Sequence, residues 1–196
     1  MSRRFRTISE FGSKYFGWLA ALGIVLAGGW FLLPEGYNTL IQWLAPQLGN
    51  YTRPTLVMVN ALLVSPLVNM TMFAIWAIGG FVGGIIAGTK KGGFAVGLFT
   101  WICCLGIAGF SLWQMVQSGF NLGTFPPLPP GSSIIDLLGI PLVQSVIGDL
   151  LPLIAGMGGG MINPMVMITP LIIWLLVPVV TVCVAGIVGA MIRPKE

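Results

Sequence analysis

The sequence contains no histidine and few charged residues: nine Lys or Arg and five Asp or Glu among 196 residues. The missing histidine excludes a Ser-His-Asp triad and His-ligated zinc or haem. Soluble domains carry about a quarter of charged residues, so a charged content of 7% cannot cover a water-facing surface. These shortages exclude an ordinary soluble enzyme, a nucleic-acid-binding protein and a disordered chain.

The chain is instead rich in apolar residues, which make up 56% of it and give a mean hydropathy of +0.96. A helix needs about 20 mostly apolar residues to cross a bilayer core of about 30 Å. Four segments meet this requirement: residues 16–33, part of 55–88, 93–116 and part of 165–192. We expect the first to be a retained helix, because the residues that end it make a poor signal-peptide cleavage site. The sequence therefore predicts an all-α integral membrane protein with four transmembrane helices.

The basic residues support this arrangement independently. They fall before the first helix, between the second and third, and after the fourth: Arg3, Arg4, Arg6, Lys14, Lys90, Lys91, Arg193 and Lys195. With four spans these residues share one side of the membrane, and Arg53 alone lies on the other. The positive-inside rule then predicts a multi-pass protein of the cell membrane with both termini cytoplasmic. Because the basic residues form short separate groups, no nucleic-acid partner is expected.

Two segments are predicted on the outer side. Residues 35–53 have apolar side chains at helical spacing, which predicts a short helix on the outer leaflet or against the bundle. The longer segment, 117–164, contains an apolar stretch with Asp136 and Asp149. Carboxylates are costly in lipid, so we expect interfacial or re-entrant helices there rather than a fifth span. Asn50 begins an Asn-Tyr-Thr acceptor pattern and is a possible glycosylation site.

The two halves of the chain resemble each other. Residues 79–86 read GGFVGGII and residues 185–192 read AGIVGAMI, and each run precedes basic residues. Each half also contains a helix, an outer segment, a proline and a second helix, in that order. This order predicts a parallel internal repeat within a single membrane domain, 1–196, with halves 1–88 and 89–196.

Small residues at four-residue spacing occur in both copies of this run. Such spacing lets two helix backbones approach closely, so we assign a helix-packing role to Gly79, Gly80, Gly83, Gly84, Gly88, Ala185, Gly186, Gly189 and Ala190. The contacts could lie within the monomer, between subunits or beside a narrow pore.

The second predicted span also contains polar residues. Asn60, Ser65 and Asn69 lie near Pro66, which removes a backbone donor and is the expected kink. Polar side chains beside such a kink can line a solute path or hydrogen-bond to neighbouring helices. The three cysteines are expected to be small apolar filler.

These features favour a non-catalytic membrane subunit that packs within a larger membrane protein complex or a homo-oligomer. Its expected partners are the lipid bilayer and other membrane subunits or copies of itself. No catalytic residue, metal ligand or cofactor is expected. The alternative is a small channel or carrier for a neutral solute or ion. A membrane enzyme, less favoured, would need Asp136, Asp149 or the cysteines.

Overall fold

A computed structural model describes residues 3–117 and 164–194, together with isolated positions between 127 and 144. The described residues form helices and contain no strand: α1 Arg3–Phe31, α2 Glu35–Leu48, α3 Thr52–Leu62, α4 Met70–Ala87, α5 Lys90–Gln117 and α6 Pro164–Ile192. Four segments are long and apolar enough to cross a membrane: Gly12–Phe31, Met70–Ala87, Lys90–Gln117 and Ile168–Ile192. For the described part of the chain, the prediction of an all-α protein with four helices long and apolar enough to span a membrane is confirmed.

Residues 55–88 do not form one continuous helix. They contain most of α3 and all of α4, and the chain between these helices passes through Ser65 and Pro66 in a non-helical conformation. The sequence predicted a kink at Pro66, and the structure shows a complete break there. Because α4 alone is long enough to span, the excess length of this segment lies in α3.

Helix α3 lies inside the molecule rather than on it. It contacts α1, α2, α5 and α6, and its residues Val57, Met58, Ala61 and Leu62 are at most 4% exposed. These side chains belong to the main apolar core, which also includes Trp76 of α4. The apolar character that made this segment look like part of a span is thus used to fill the bundle.

The first of the two segments predicted on the outer side begins with α2. Its first turn contains Tyr37, which is 2% exposed, and burial raises the pKa of this phenol. A helix in this segment was predicted; its position on the outer leaflet stays a prediction. Asp136, Asp149 and most of the segment predicted to form interfacial or re-entrant helices lie outside the described residues. These helices and the internal repeat stay predictions.

Glycine contacts determine how α4 packs against α1. A methyl group at Gly79 would lie 3.2 Å from the Ala21 carbonyl oxygen, and one at Gly83 would lie 2.8 Å from that of Gly17. Because higher numbers on α4 meet lower numbers on α1, the two helices are antiparallel. At Gly83 the two backbones are so close that a side chain would force a shift, and at Gly79 the space is tight.

A second face of α4 packs on α6. A methyl group at Gly80 would collide with the Val182 carbonyl, and one at Gly84 with the Gly186 carbonyl. The residue numbers increase together, so α4 and α6 are parallel. Helix α5 completes this contact in the antiparallel sense, since Gly93 meets Gly186 and Gly97 meets Val182. Two faces of one helix therefore hold the bundle together through backbone contact.

The directions of the helices place most of the described basic residues at one end of the bundle. Ser13 Oγ lies 3.5 Å from the Ala87 carbonyl oxygen, so Lys14 is at the same end as Lys90 and Lys91, which begin α5. Arg193 follows the end of α6, which is the end that meets Gly93. At the opposite end the Arg53 guanidinium lies 4.7 Å from the Trp30 ring centroid. The described basic residues thus share one end of the bundle, Arg53 excepted.

The glycine contacts can be tested with a matched pair of substitutions. Gly84→Ala places a methyl group against the Gly186 carbonyl and should destabilise the protein by about 1–3 kcal/mol, as overpacking does. Gly106→Ala on α5 is the control, because nothing lies within 4 Å of that position. It should be neutral or slightly stabilising, since alanine favours helix over glycine. Unfolding in mixed micelles, followed by circular dichroism, measures both; equal stabilities would contradict the packing.

Candidate functional site

The break between α3 and α4 brings together the polar groups of the second predicted span. Near the end of α3, the side-chain amide of Asn69 donates from Nδ2 to Asn60 Oδ1 at 2.9 Å and to the Asn60 carbonyl at 3.3 Å. Trp76 donates from Nε1 to the Ala61 carbonyl at 2.7 Å. Carbonyls in the last turn of a helix lack intrahelical donors, so side chains from α4 supply the bonds that the interrupted helix has lost.

A third contact ties the break to α6. The Val64 amide donates to the Trp174 carbonyl at 3.2 Å. In an uninterrupted helix that carbonyl would accept from the residue four positions later, which here is Pro178 and has no N–H. The proline in α6 therefore frees an acceptor that the broken segment uses. Proline at one point of the fold compensates for the lost backbone bonds at another.

The N-terminus of α4 is capped within the same cluster. Asn69 Oδ1 accepts from the Met72 amide at 3.3 Å, which is the bond expected of an N-cap asparagine. Asn60 is 1% exposed, Asn69 is 5% exposed and Trp76 is fully buried. The cluster is thus a buried, neutral hydrogen-bonded centre built from side-chain amides, an indole and backbone groups.

Other chemistry finds little support among the described residues. No group of three or more His, Cys, Asp or Glu side chains that could hold a metal ion occurs among them. Cys104 and Cys183 are buried, and Cys103 is partly so. The Cys183 thiol lies 3.8 Å from the Phe94 carbonyl oxygen, which is a contact of helix packing.

An apolar groove runs along the outside of α4 and α6. Its volume is about 810 Å³, and it begins beside Pro66 at the break. Its walls are apolar side chains of both helices, such as Phe73, Phe81, Val180 and Val188, and its one hydroxyl belongs to Thr181. The groove forms because the glycines bring the two backbones together while large side chains flank the contact.

The predicted small residues divide into different environments. Gly79, Gly80, Gly83, Gly84, Gly186 and Gly189 each lie against the backbone of another helix of the same chain. Gly88 instead follows the end of α4 with φ of 70°, the left-handed conformation of a glycine C-cap. Ala185 lines the groove, and Ala190 is buried.

Asn50 lies in the turn between α2 and α3 and is exposed. The hydroxyl of Thr52, the third residue of its acceptor pattern, donates to the Gly49 carbonyl at 2.8 Å. Thr52 is 1% exposed. Glycosylation of Asn50 stays a prediction, at a position where the threonine is held inside the fold.

Sequence reasoning selected Asn60 and Asn69 as polar residues near a kink but did not pair them. It missed Trp76 and Trp174 at the break, and it missed the groove. The spacing of Trp174 and Pro178 was a usable signal for a freed carbonyl. Nothing in the sequence indicates that Val64 is its donor.

Comparison with protein-family models, with curated proteins and with solved structures finds no match for this chain.

The contribution of the break can be measured by removing one donor. Trp76→Phe keeps a ring in the core but removes part of a buried side chain and leaves the Ala61 carbonyl without its side-chain donor, and the two losses together should cost at least about 1–3 kcal/mol. Trp113→Phe is the matched control, since Trp113 is 61% exposed, and it should change stability by less than about 0.5 kcal/mol. Unfolding in mixed micelles compares the two. Equal losses would show that the Trp76 bond adds nothing.

Proposed function

We propose that this protein is a non-catalytic membrane subunit that packs, through its helices, within a larger membrane assembly or a homo-oligomer. The observation that carries the proposal is the apolar groove between α4 and α6. Concave apolar surfaces of this size on a membrane bundle fit the side chains of another helix. A membrane bundle is apolar wherever it faces lipid, so it is the concave shape that distinguishes this surface, because helices in membranes associate by close van der Waals packing.

The length of the groove favours a helix as its occupant. Its lining on α6 extends from Ile173 to Val188, which is about 22 Å at 1.5 Å per residue. One leaflet supplies about half of the 30 Å core, so an acyl chain anchored in one leaflet ends near the middle. A transmembrane helix crosses the whole core and can fill the groove along its length.

The interior of the bundle supports packing over passage. The small-residue faces of α4 are occupied by backbone atoms of α1 and α6. The side-chain amide oxygens at the break and the Trp76 indole are engaged in internal hydrogen bonds. These amide oxygens, the indole and the glycine faces, which could have lined a path between the helices, are thereby used in holding the helices together.

The assembly can be tested by filling the groove. Tagged protein, expressed at native level and extracted in mild detergent, should have a protein mass well above 20.9 kDa once the mass of bound detergent is subtracted. Ala77→Trp adds an indole inside the groove and should shift the protein toward the monomer. Ala27→Trp, at an exposed position on α1, is the matched control and should leave the assembly intact.

Two results would contradict the proposal. If the wild-type protein is a monodisperse monomer and no other protein copurifies with it, the proposed assembly does not exist. Liposomes containing the purified chain alone that pass urea, glycerol or K⁺ faster than empty liposomes would favour the second candidate, a channel or carrier. The observation that favours a channel or carrier is the helix break with its buried asparagines, because broken helices in membranes can line solute sites.

We further propose that the basic end of the bundle is cytoplasmic, in the cell membrane, because lysine and arginine favour that side. Lys91 and Arg53 are both exposed and lie at opposite ends. In a background without the native cysteines, Arg53→Cys should react with an impermeant maleimide on intact cells and Lys91→Cys should not. The reverse labelling pattern would invert the orientation.

A further inference from the structure

The groove between α4 and α6 lies beside a ridge on α6. Residues four apart on a helix line up in rows, and each row forms a ridge on the helix surface. One row of α6 is between 46% and 59% exposed and forms the outer wall of the groove: Leu176, Val180, Val184 and Val188. The adjacent row is less exposed and also lines the groove, at Val177, Thr181 and Ala185. One surface of the protein therefore carries a ridge and a groove side by side.

The ridge and the groove lie at the same depth in the bundle. On α6 the groove extends from Ile173 to Val188, and the exposed row occupies the same turns, from Leu176 to Val188. Helices in membranes associate by close van der Waals packing, because lipid is as apolar as their side chains. The best occupant is therefore a helix that presents an apolar ridge at this depth. The α6 helix of a second copy presents one.

The symmetry of a membrane dimer brings the two features together. Copies of one chain insert in the same orientation, so two copies can be related by a two-fold axis along the membrane normal. Such an axis leaves every residue at its own depth. A two-fold interface uses the same patch on both subunits, so that residue i contacts residue j and residue j contacts residue i. A ridge beside a groove at equal depth meets this requirement.

We propose that the occupant of the groove is α6 of a second copy of this chain. In the two-fold homodimer, the exposed row of each copy packs into the groove of the other. The two α6 helices point the same way and cross near Val180, the midpoint of the groove. Interlocking rows at four-residue spacing give helix crossings of about −50°. This inference rests on the assembly proposed above and names its partner.

Disulfide crosslinking of the full-length chain in membranes tests this arrangement. In a background without the native cysteines, Val180→Cys and Val184→Cys each place a thiol on the ridge near the two-fold axis. A disulfide requires Cα atoms within about 7 Å of each other, so copper phenanthroline should convert at least one variant to a covalent homodimer. Adding Ala77→Trp, which fills the groove, should slow the reaction several-fold, whereas Ala27→Trp on α1 should not.

Phe99→Cys on α5 is the matched control. Because Gly97 of the antiparallel α5 meets Val182, Phe99 lies at about the same depth as Val180. The side chains of Phe99 and Val180 are 58% and 59% exposed. Chance collisions in the bilayer should therefore crosslink the two positions at similar rates, and the homodimer should make the reaction on α6 several-fold faster.

Faster crosslinking on the ridge than at Phe99 supports the homodimer. If neither ridge position exceeds Phe99, a second copy does not occupy the groove through α6. The protein mass then separates this inference from the proposed function. A mass above 20.9 kDa that Ala77→Trp lowers to the monomer would mean that a different protein fills the groove, and a wild-type monomer would contradict both proposals.

Discussion

In hydrocarbon a backbone N–H or carbonyl has no water to bond with, so every interruption of a helix must be satisfied from within the protein. The break between α3 and α4 is where this constraint acts most strongly. Three residues supply hydrogen-bond partners for the interrupted backbone: Asn69 beside the break, Trp76 on the next turns of α4, and Trp174 on α6. The last depends on Pro178. At the break beside Pro66, the Val64 amide donates to the Trp174 carbonyl. That carbonyl is available because Pro178 has no N–H to give to it.

The glycine contacts and the break depend on each other. Helix α4 touches α1 with one face and α6 with the other at backbone distance, which leaves it little freedom to move. Trp174 can meet Val64 only if α6 lies that close. Conversely, the bonds at the break hold the start of α4 in register, so that Gly80 and Gly84 arrive opposite Val182 and Gly186. Dispersion contact and hydrogen bonding thus specify one arrangement together.

Composition and charge placement were enough to predict four spanning helices, because burial in lipid imposes a length and a polarity that any sequence must show. Pro66 also predicted the place of the irregularity. Whether a proline only bends a helix or divides it depends on which donors and acceptors surround it. Here these are Asn69, Trp76 and Trp174, and the last is more than a hundred residues away. The sequence could not predict that α3 lies in the core for a similar reason: apolar residues such as Val57 and Ala61 are equally suited to the bundle interior and to a surface that faces lipid.

The groove is a consequence of the packing that closes the interior. When two helices meet at glycines, their axes come close and their larger side chains are forced to the flanks of the contact. On the inner side of α4 and α6 the flanks are filled by the core, where Val182 and Trp76 are buried. On the outer side Phe81 and Val184 are left as the walls of an open channel in the surface. The glycines that bring α4 and α6 into backbone contact are therefore also the reason for the groove, which is where the proposed assembly would place another helix.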